Sequence, residues 1–184
     1  MSVSRNIDRL LQAQDLNAPG MPEKHIELVE GELIEMTPAG KWHNRIGFNL
    51  QSIFREFCLR HAELDFGGGE DGFLVHRNPD TVLCPDACLF RTREEGDSTW
   101  MPFTTELVCE VLSPSNSATE MALKRQRYFD GGCEQFWLVY PDERRIAIYH
   151  RDGRIFSLSG DDAGHGEGIA EGMVIDLGEV FRDR

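Results

Sequence analysis

Apolar and polar positions alternate in short runs along most of the chain, and twice the period becomes helical. Ile26 to Val29 and Glu32 to Met36 alternate apolar and acidic residues on either side of Glu30-Gly31. That pattern predicts a half-exposed β-hairpin with those two residues at its turn. Thr37-Pro38-Ala39-Gly40 then breaks the ribbon. From Trp42 to His61, the apolar residues Trp42, Ile46, Leu50, Ile53, Phe54 and Phe57 recur mostly at three- and four-residue steps. This spacing predicts a helix with one face on a sheet. Further apolar runs predict strands around Phe73-Leu74-Val75, from Val82 to Phe90, from Leu107 to Leu112, from Glu134 to Tyr140 and from Arg144 to His150. Pro114-Ser115-Asn116-Ser117 should cap a second helix from Ala118 to about Phe129, closed by Gly131-Gly132. On that helix Leu123 and Phe129 are expected to face the sheet. A Gly- and acid-rich loop, 160–168, precedes a last apolar segment, Met173 to Leu177. The order β-β-α-β-β-β-α-β-β predicts an α/β (α+β-like) fold: a central mixed β-sheet flanked by few helices, with an N-terminal β-hairpin.

A chain of 184 residues can bury the core of one domain. Residues 1–24 read as a weakly ordered or short helical lead, and 25–184 as a single domain without repeat or long linker. The share of hydrophobic residues, 40%, is ordinary for a globular protein. No apolar run reaches a membrane-spanning length, and the N-terminus lacks the apolar stretch of a secretory signal, so a cytoplasmic protein is expected. The five cysteines include no CxxC pair and read as small hydrophobes. A thiolate site at Cys84 and Cys88, which would share strand parity with Asp86, lacks a second ligand pair. The net charge of −13 argues against coating nucleic acid by bulk charge. It leaves open a nucleic-acid enzyme whose bound divalent ions offset it.

Two predicted strands each carry one acid framed by apolar residues: Asp86 between Pro85 and Ala87, and Glu110 between Cys109 and Val111. A carboxylate buried in such a setting is costly without a partner or a metal. If the strands are neighbours, the two acids meet at one end of the sheet, where carboxylates suit Mg²⁺ or Mn²⁺. Pro85, which has no N–H, fits an edge, a bulge or a strand start. On the second helix Glu120, Lys124 and Tyr128 fall on one face, so Lys124 can project toward the acids. Each has a plainer alternative: two strand-end acids facing water, and a Glu120–Lys124 surface pair. His43 at a helix start and Glu32 on the hairpin read most simply as a cap and a solvated acid.

Taken in order, these segments resemble the Uma2-like family of proposed restriction endonucleases within the PD-(D/E)XK nuclease superfamily. The resemblance runs from about Ile26 to Phe181. It is carried by Glu27-Leu28-Val29-Glu30-Gly31-Glu32-Leu33, Thr37-Pro38 with His43, Pro85-Asp86, Glu110-Val111-Leu112-Ser113-Pro114-Ser115, Lys124 with Tyr128, Gly132, and Phe136-Trp137-Leu138-Val139. It implies a restriction-endonuclease-like core, with Asp86 and Glu110 as ligands of Mg²⁺ or Mn²⁺. The superfamily lysine two residues after the glutamate is replaced by Leu112, and Lys124 matches the family's displaced lysine. Glu32 and His43 match positions near the site, and Ser113 reads as a helix cap. The activity implied is hydrolysis of DNA phosphodiester bonds, with a homodimer as the assembly. The alternatives are a catalytically inactive binding or assembly module of the same fold, and hydrolysis of another phosphoester.

Overall fold

The first hairpin forms where the alternation predicts it. β1 (Ile26–Val29) and β2 (Glu32–Glu35) pair antiparallel. Glu30 and Gly31 between them both take positive φ, 53° and 80°, as a type I′ turn requires. This is a computed structural model, in which residues 9–21, 26–36, 38–93, 99–160 and 162–183 are described. Within the lead, a 3-10 turn at Ala13–Asn17 lies against the hairpin: Leu11 N–H donates to the Gly31 carbonyl at 2.8 Å, and Leu11 and Ala13 are buried.

The chain continues through α1 (Lys41–Cys58), β3 (Leu64–Gly67), β4 (Phe73–His76), β5 (Thr81–Leu83), β6 (Ala87–Arg91) and β7 (Leu107–Val111). Then come α2 (Ala118–Asp130), β8 (Gln135–Tyr140), β9 (Arg145–His150) and β10 (Ile155–Ser159). β11 (Ala163–His165), β12 (Val174–Asp176) and α3 (Leu177–Val180) complete it. The central sheet has the order β10-β9-β8-β7-β6-β3. It is mixed because β7 and β8 run parallel, joined by α2 as a crossover, while its other pairs are antiparallel. A second sheet has the order β2-β1-β5-β4, and β11 pairs with β12.

The two layers divide the residues of β7 by parity. On one face α1 lies over β3, β6 and β7, burying Ile46, Leu50, Phe54 and Phe57 against Leu107, Cys109, Val111 and Trp137. On the other, α2 and the smaller sheet bury Val108, Phe136 and Leu138 against Val75, Leu83, Met121 and Tyr128. Glu110 shares the parity of Val108 and so enters this second layer.

The structure departs from the expected elements in four places. The run Val82 to Phe90 is two strands, β5 in the small sheet and β6 in the central one, with Cys84-Pro85-Asp86 between them. The physical reason is that the backbone of this break is served from elsewhere. Pro85 has no N–H to give. The Cys84 amide donates to Glu27 at 2.9 Å, and the Pro85 carbonyl accepts from Gly69 N–H at 2.8 Å. The Asp86 carbonyl accepts from Gln51 Nε2 at 2.8 Å. Secondly, the short strands β3 and β10 lie outside the runs whose pattern predicts strands. Thirdly, strand β11 falls in the expected Gly-rich loop. Fourthly, Leu123 is 52% exposed, and the buried face of α2 is Met121, Lys124 and Tyr128. Among the described residues no helix is long and apolar enough to cross a membrane.

Candidate active site

β6 and β7 pair with Ala87 opposite Cys109, which sets Asp86 and Glu110 one step further along adjacent chains. Leaving the strand at Asp86 lets its carboxylate reach across: Oδ2 accepts the Val111 N–H at 2.7 Å. The same oxygen lies 3.3 Å from His43 Nε2. His43 sits in the first turn of α1, and its Nδ1 is buried with no hydrogen-bond partner among the described residues. Burial pulls the His43 imidazole down, but the hydrogen bond and charge of Asp86, together with Asn44 and Val111, outweigh it, leaving the ring above its ordinary value. Asp86 is the most open of the group, with 22% of its side chain exposed.

Behind it lies a closed cluster. Lys124 Nζ is 2.9 Å from Glu110 Oε1 and donates to Oε2 at 3.0 Å. Tyr128, one turn further along α2, donates from its hydroxyl to Glu110 Oε1 at 3.4 Å. Of the expected helical face, Lys124 and Tyr128 are buried together, and the Glu120–Lys124 surface pair does not form. Glu120 instead completes a capping box with Ser117, whose Oγ accepts the Glu120 N–H. Ser117 is thus the cap of α2; the Ser113 N–H and hydroxyl donate to Asn116 Oδ1, forming the preceding turn. Desolvation pushes the Glu110 carboxyl up, against the pull of Lys124. Desolvation pulls the Lys124 ammonium down, but Glu110 and Glu27 together outweigh it, so its charge is held firmly.

Glu27 is the residue the sequence reading missed. From β1 in the other sheet its Oε1 lies 2.8 Å from Lys124 Nζ and accepts the Cys84 N–H. Its signal is the one that singled out Asp86 and Glu110: an acid between apolar neighbours, Ile26 and Leu28. Alternation along the hairpin gives this acid the same pattern as a solvated face. Glu32 is not brought to this cluster; it is exposed beside the turn, opposite Val29. The cysteines stay apart from it chemically. Burial pushes the Cys84 thiol up to about 12 and the Cys88 and Cys109 thiols well above their ordinary value. The strand break also removes the parity that would have aligned Cys84 and Cys88 with Asp86.

The donor set is oxygen only. Among the described residues, no group of three or more His, Cys, Asp or Glu is arranged to enclose an ion. Carboxylate oxygens suit Mg²⁺ or Mn²⁺, which keep several waters and take one or two protein carboxylates. Both of these contacts of the Asp86 carboxylate fall on Oδ2. Both Glu110 oxygens are engaged by Lys124.

The profile of the Uma2 family, described as "Putative restriction endonuclease", matches residues 12–177. The chain belongs to the Uma2 family. A similar solved structure is that of "a putative nuclease belonging to DUF820" from Anabaena variabilis ATCC 29413. It superposes with a TM-score of 0.76 over 93% of this chain and 97% of that one, at 18% identity. At that identity the likeness establishes the shared fold, a central mixed sheet flanked by helices. No curated protein matches the sequence. The family match spans both layers of the site, from before β1 to the start of α3, so Glu27, Asp86, Glu110 and Lys124 all lie within it.

Proposed function

We propose that this Uma2 protein is a cytoplasmic endonuclease that hydrolyses DNA phosphodiester bonds with Mg²⁺ or Mn²⁺. The observation that carries the reading is the contact between Lys124 and Glu110 at the end of the strand whose Val111 amide Asp86 holds. In this reading Asp86 and Glu110 hold the cation. When bound, such an ion lowers the pKa of a coordinated water and offsets charge growing on a phosphate oxygen. Asp86 is oriented for its part by the Val111 N–H and by His43. Lys124 donates hydrogen bonds from a charged ammonium, so its part is to orient the attacking water or stabilise the crowded phosphoryl group, not to accept a proton. The family description and the name of the structural relative support nuclease chemistry. With one such site per chain, cutting both strands of a duplex calls for a homodimer.

The test is cleavage of supercoiled plasmid with Mg²⁺ or Mn²⁺. The wild type should nick or linearise it, and Asp86→Ala should lose at least about a hundredfold in rate, the order seen when an electrostatic element of a site is removed. Equal rates would defeat the reading. A second reading, an inactive nuclease-fold binding or assembly module, is favoured by one observation: Lys124 holds both Glu110 oxygens in a chain of net charge −13. Calorimetry with Mn²⁺ separates them, since the module would give no binding heat.

A further inference from the structure

Glu27 has a place in this site that its position on the hairpin does not suggest. It belongs to the small sheet, yet its carboxylate is buried against α2 and the strand break, with its side chain 7% exposed. Glu110 is committed to the same ammonium through both oxygens. A cation arriving at Glu110 therefore competes directly with Lys124. A lysine with Glu110 as its sole partner would then be left as a buried, unpaired charge, a strongly unfavourable state. With Glu27 at 2.8 Å, Lys124 keeps a carboxylate while it gives one up. The closed cluster holds two carboxylates and one ammonium, so one carboxylate is in excess. That excess is what a divalent cation can take without stranding the lysine.

We propose that Glu27 is the standing partner of Lys124, a positioning residue that keeps the ammonium in the site while Glu110 turns to the cation. The inference rests on the metal reading given under Proposed function and adds the residue that makes the exchange feasible. Glu27 does a second job in the same place. By taking the Cys84 N–H it also fixes the break that releases Asp86 from strand pairing. One carboxylate oxygen thus ties together the lysine and the segment carrying Asp86.

The experiment is a double-mutant cycle on the full chain, with wild type, Glu27→Gln, Lys124→Met and the double variant. Mn²⁺ affinity is measured by calorimetry, and thermal unfolding is measured without metal. Glu27→Gln should weaken Mn²⁺ binding about tenfold in the wild-type background, the lower end of what removing a supporting residue costs. In the Lys124→Met background it should change affinity less than about twofold, because the partner it acts through is gone. Equal weakening in both backgrounds would overturn the inference, since Glu27 would then act on the ion directly or through its charge alone. Without metal, the two substitutions should be non-additive in melting temperature; additivity also overturns it. If Glu27→Gln fails to fold, Glu27→Asp, which keeps the charge but is shorter, supplies the same cycle. A wild type that takes up no Mn²⁺ defeats the metal reading and the exchange with it. Uptake with an additive cycle defeats the exchange alone.

Discussion

His43 Nε2 and Asp86 Oδ2 lie 3.3 Å apart, and the charge of the imidazole depends on that contact. Burial works against a charged imidazole; Asp86 leads the contacts, with Asn44 and Val111, that together outweigh it. The sign of a perturbation follows. Exchanging Asp86 for Asn removes the favourable charge and leaves the burial, so the imidazole must release its proton at lower pH. In metal-free protein, NMR titration of His43 should show a midpoint above the ordinary histidine value, and Asp86→Asn should move it downward. An unchanged midpoint would mean that the two side chains do not meet in solution. Residue by residue, much of this site is legible from chemistry alone. Asp86, Glu110 and Lys124 stand out as acids in apolar frames and a lysine in step with Tyr128. Glu27 carries the same signal, but alternation along a hairpin gives a buried acid and a solvated acid the same pattern. Glu32 shows the converse, since it shares the motif and faces water.

At the scale of elements, α2 shows how a helix can bury the face that hydropathy calls polar. Its apolar Leu123 is 52% exposed, while Met121 is 5% exposed and Lys124 7%. A lysine is accepted there because two sheets each bring it a carboxylate, one from β1 and one from β7. Stability should follow this geometry rather than residue type. Met121→Ala should cost about 2–3 kcal/mol by loss of buried volume, whereas Leu123→Gln should stay within about 0.5 kcal/mol. Urea unfolding of the two variants measures this, and a larger loss at Leu123 would show that α2 packs on its other face. The break at Cys84-Pro85-Asp86 is the second element-scale feature. Pro85 signals an irregularity there, but not that the chain changes sheets. Gly68, at φ 150°, lies so close that an added Cβ would stand 2.4 Å from the Asp86 carbonyl. Gly68 is therefore required by close backbone approach, whereas Gly69, at φ 76°, is required by its backbone conformation.

Across the whole molecule, a net charge of −13 sets the terms on which DNA can approach. A phosphate backbone is repelled by such a chain unless cations intervene. With Ca²⁺ present, fluorescence anisotropy of a labelled duplex should show binding tighter by on the order of tenfold than in EDTA, since condensed cations offset like charge. Equal binding in the two buffers would point to a basic surface independent of the acids. The same scale divides what could be read from the chain. Local periodicity by itself determined α1, α2, the hairpin and the β8–β9 pair, because alternation and helical spacing are properties of neighbouring residues. It also determined the candidate acids, since the cost of burying a carboxylate depends on what flanks it. Only the tertiary structure decided that one apolar run is two strands in two sheets. It alone decided that Lys124 is buried, and that its second partner is Glu27 rather than Glu32 or Glu120. These are contacts across 57 residues between Glu27 and Cys84 and across layers between β1 and α2. No local pattern encodes them, because the partner that makes a buried charge tolerable arrives from another part of the chain.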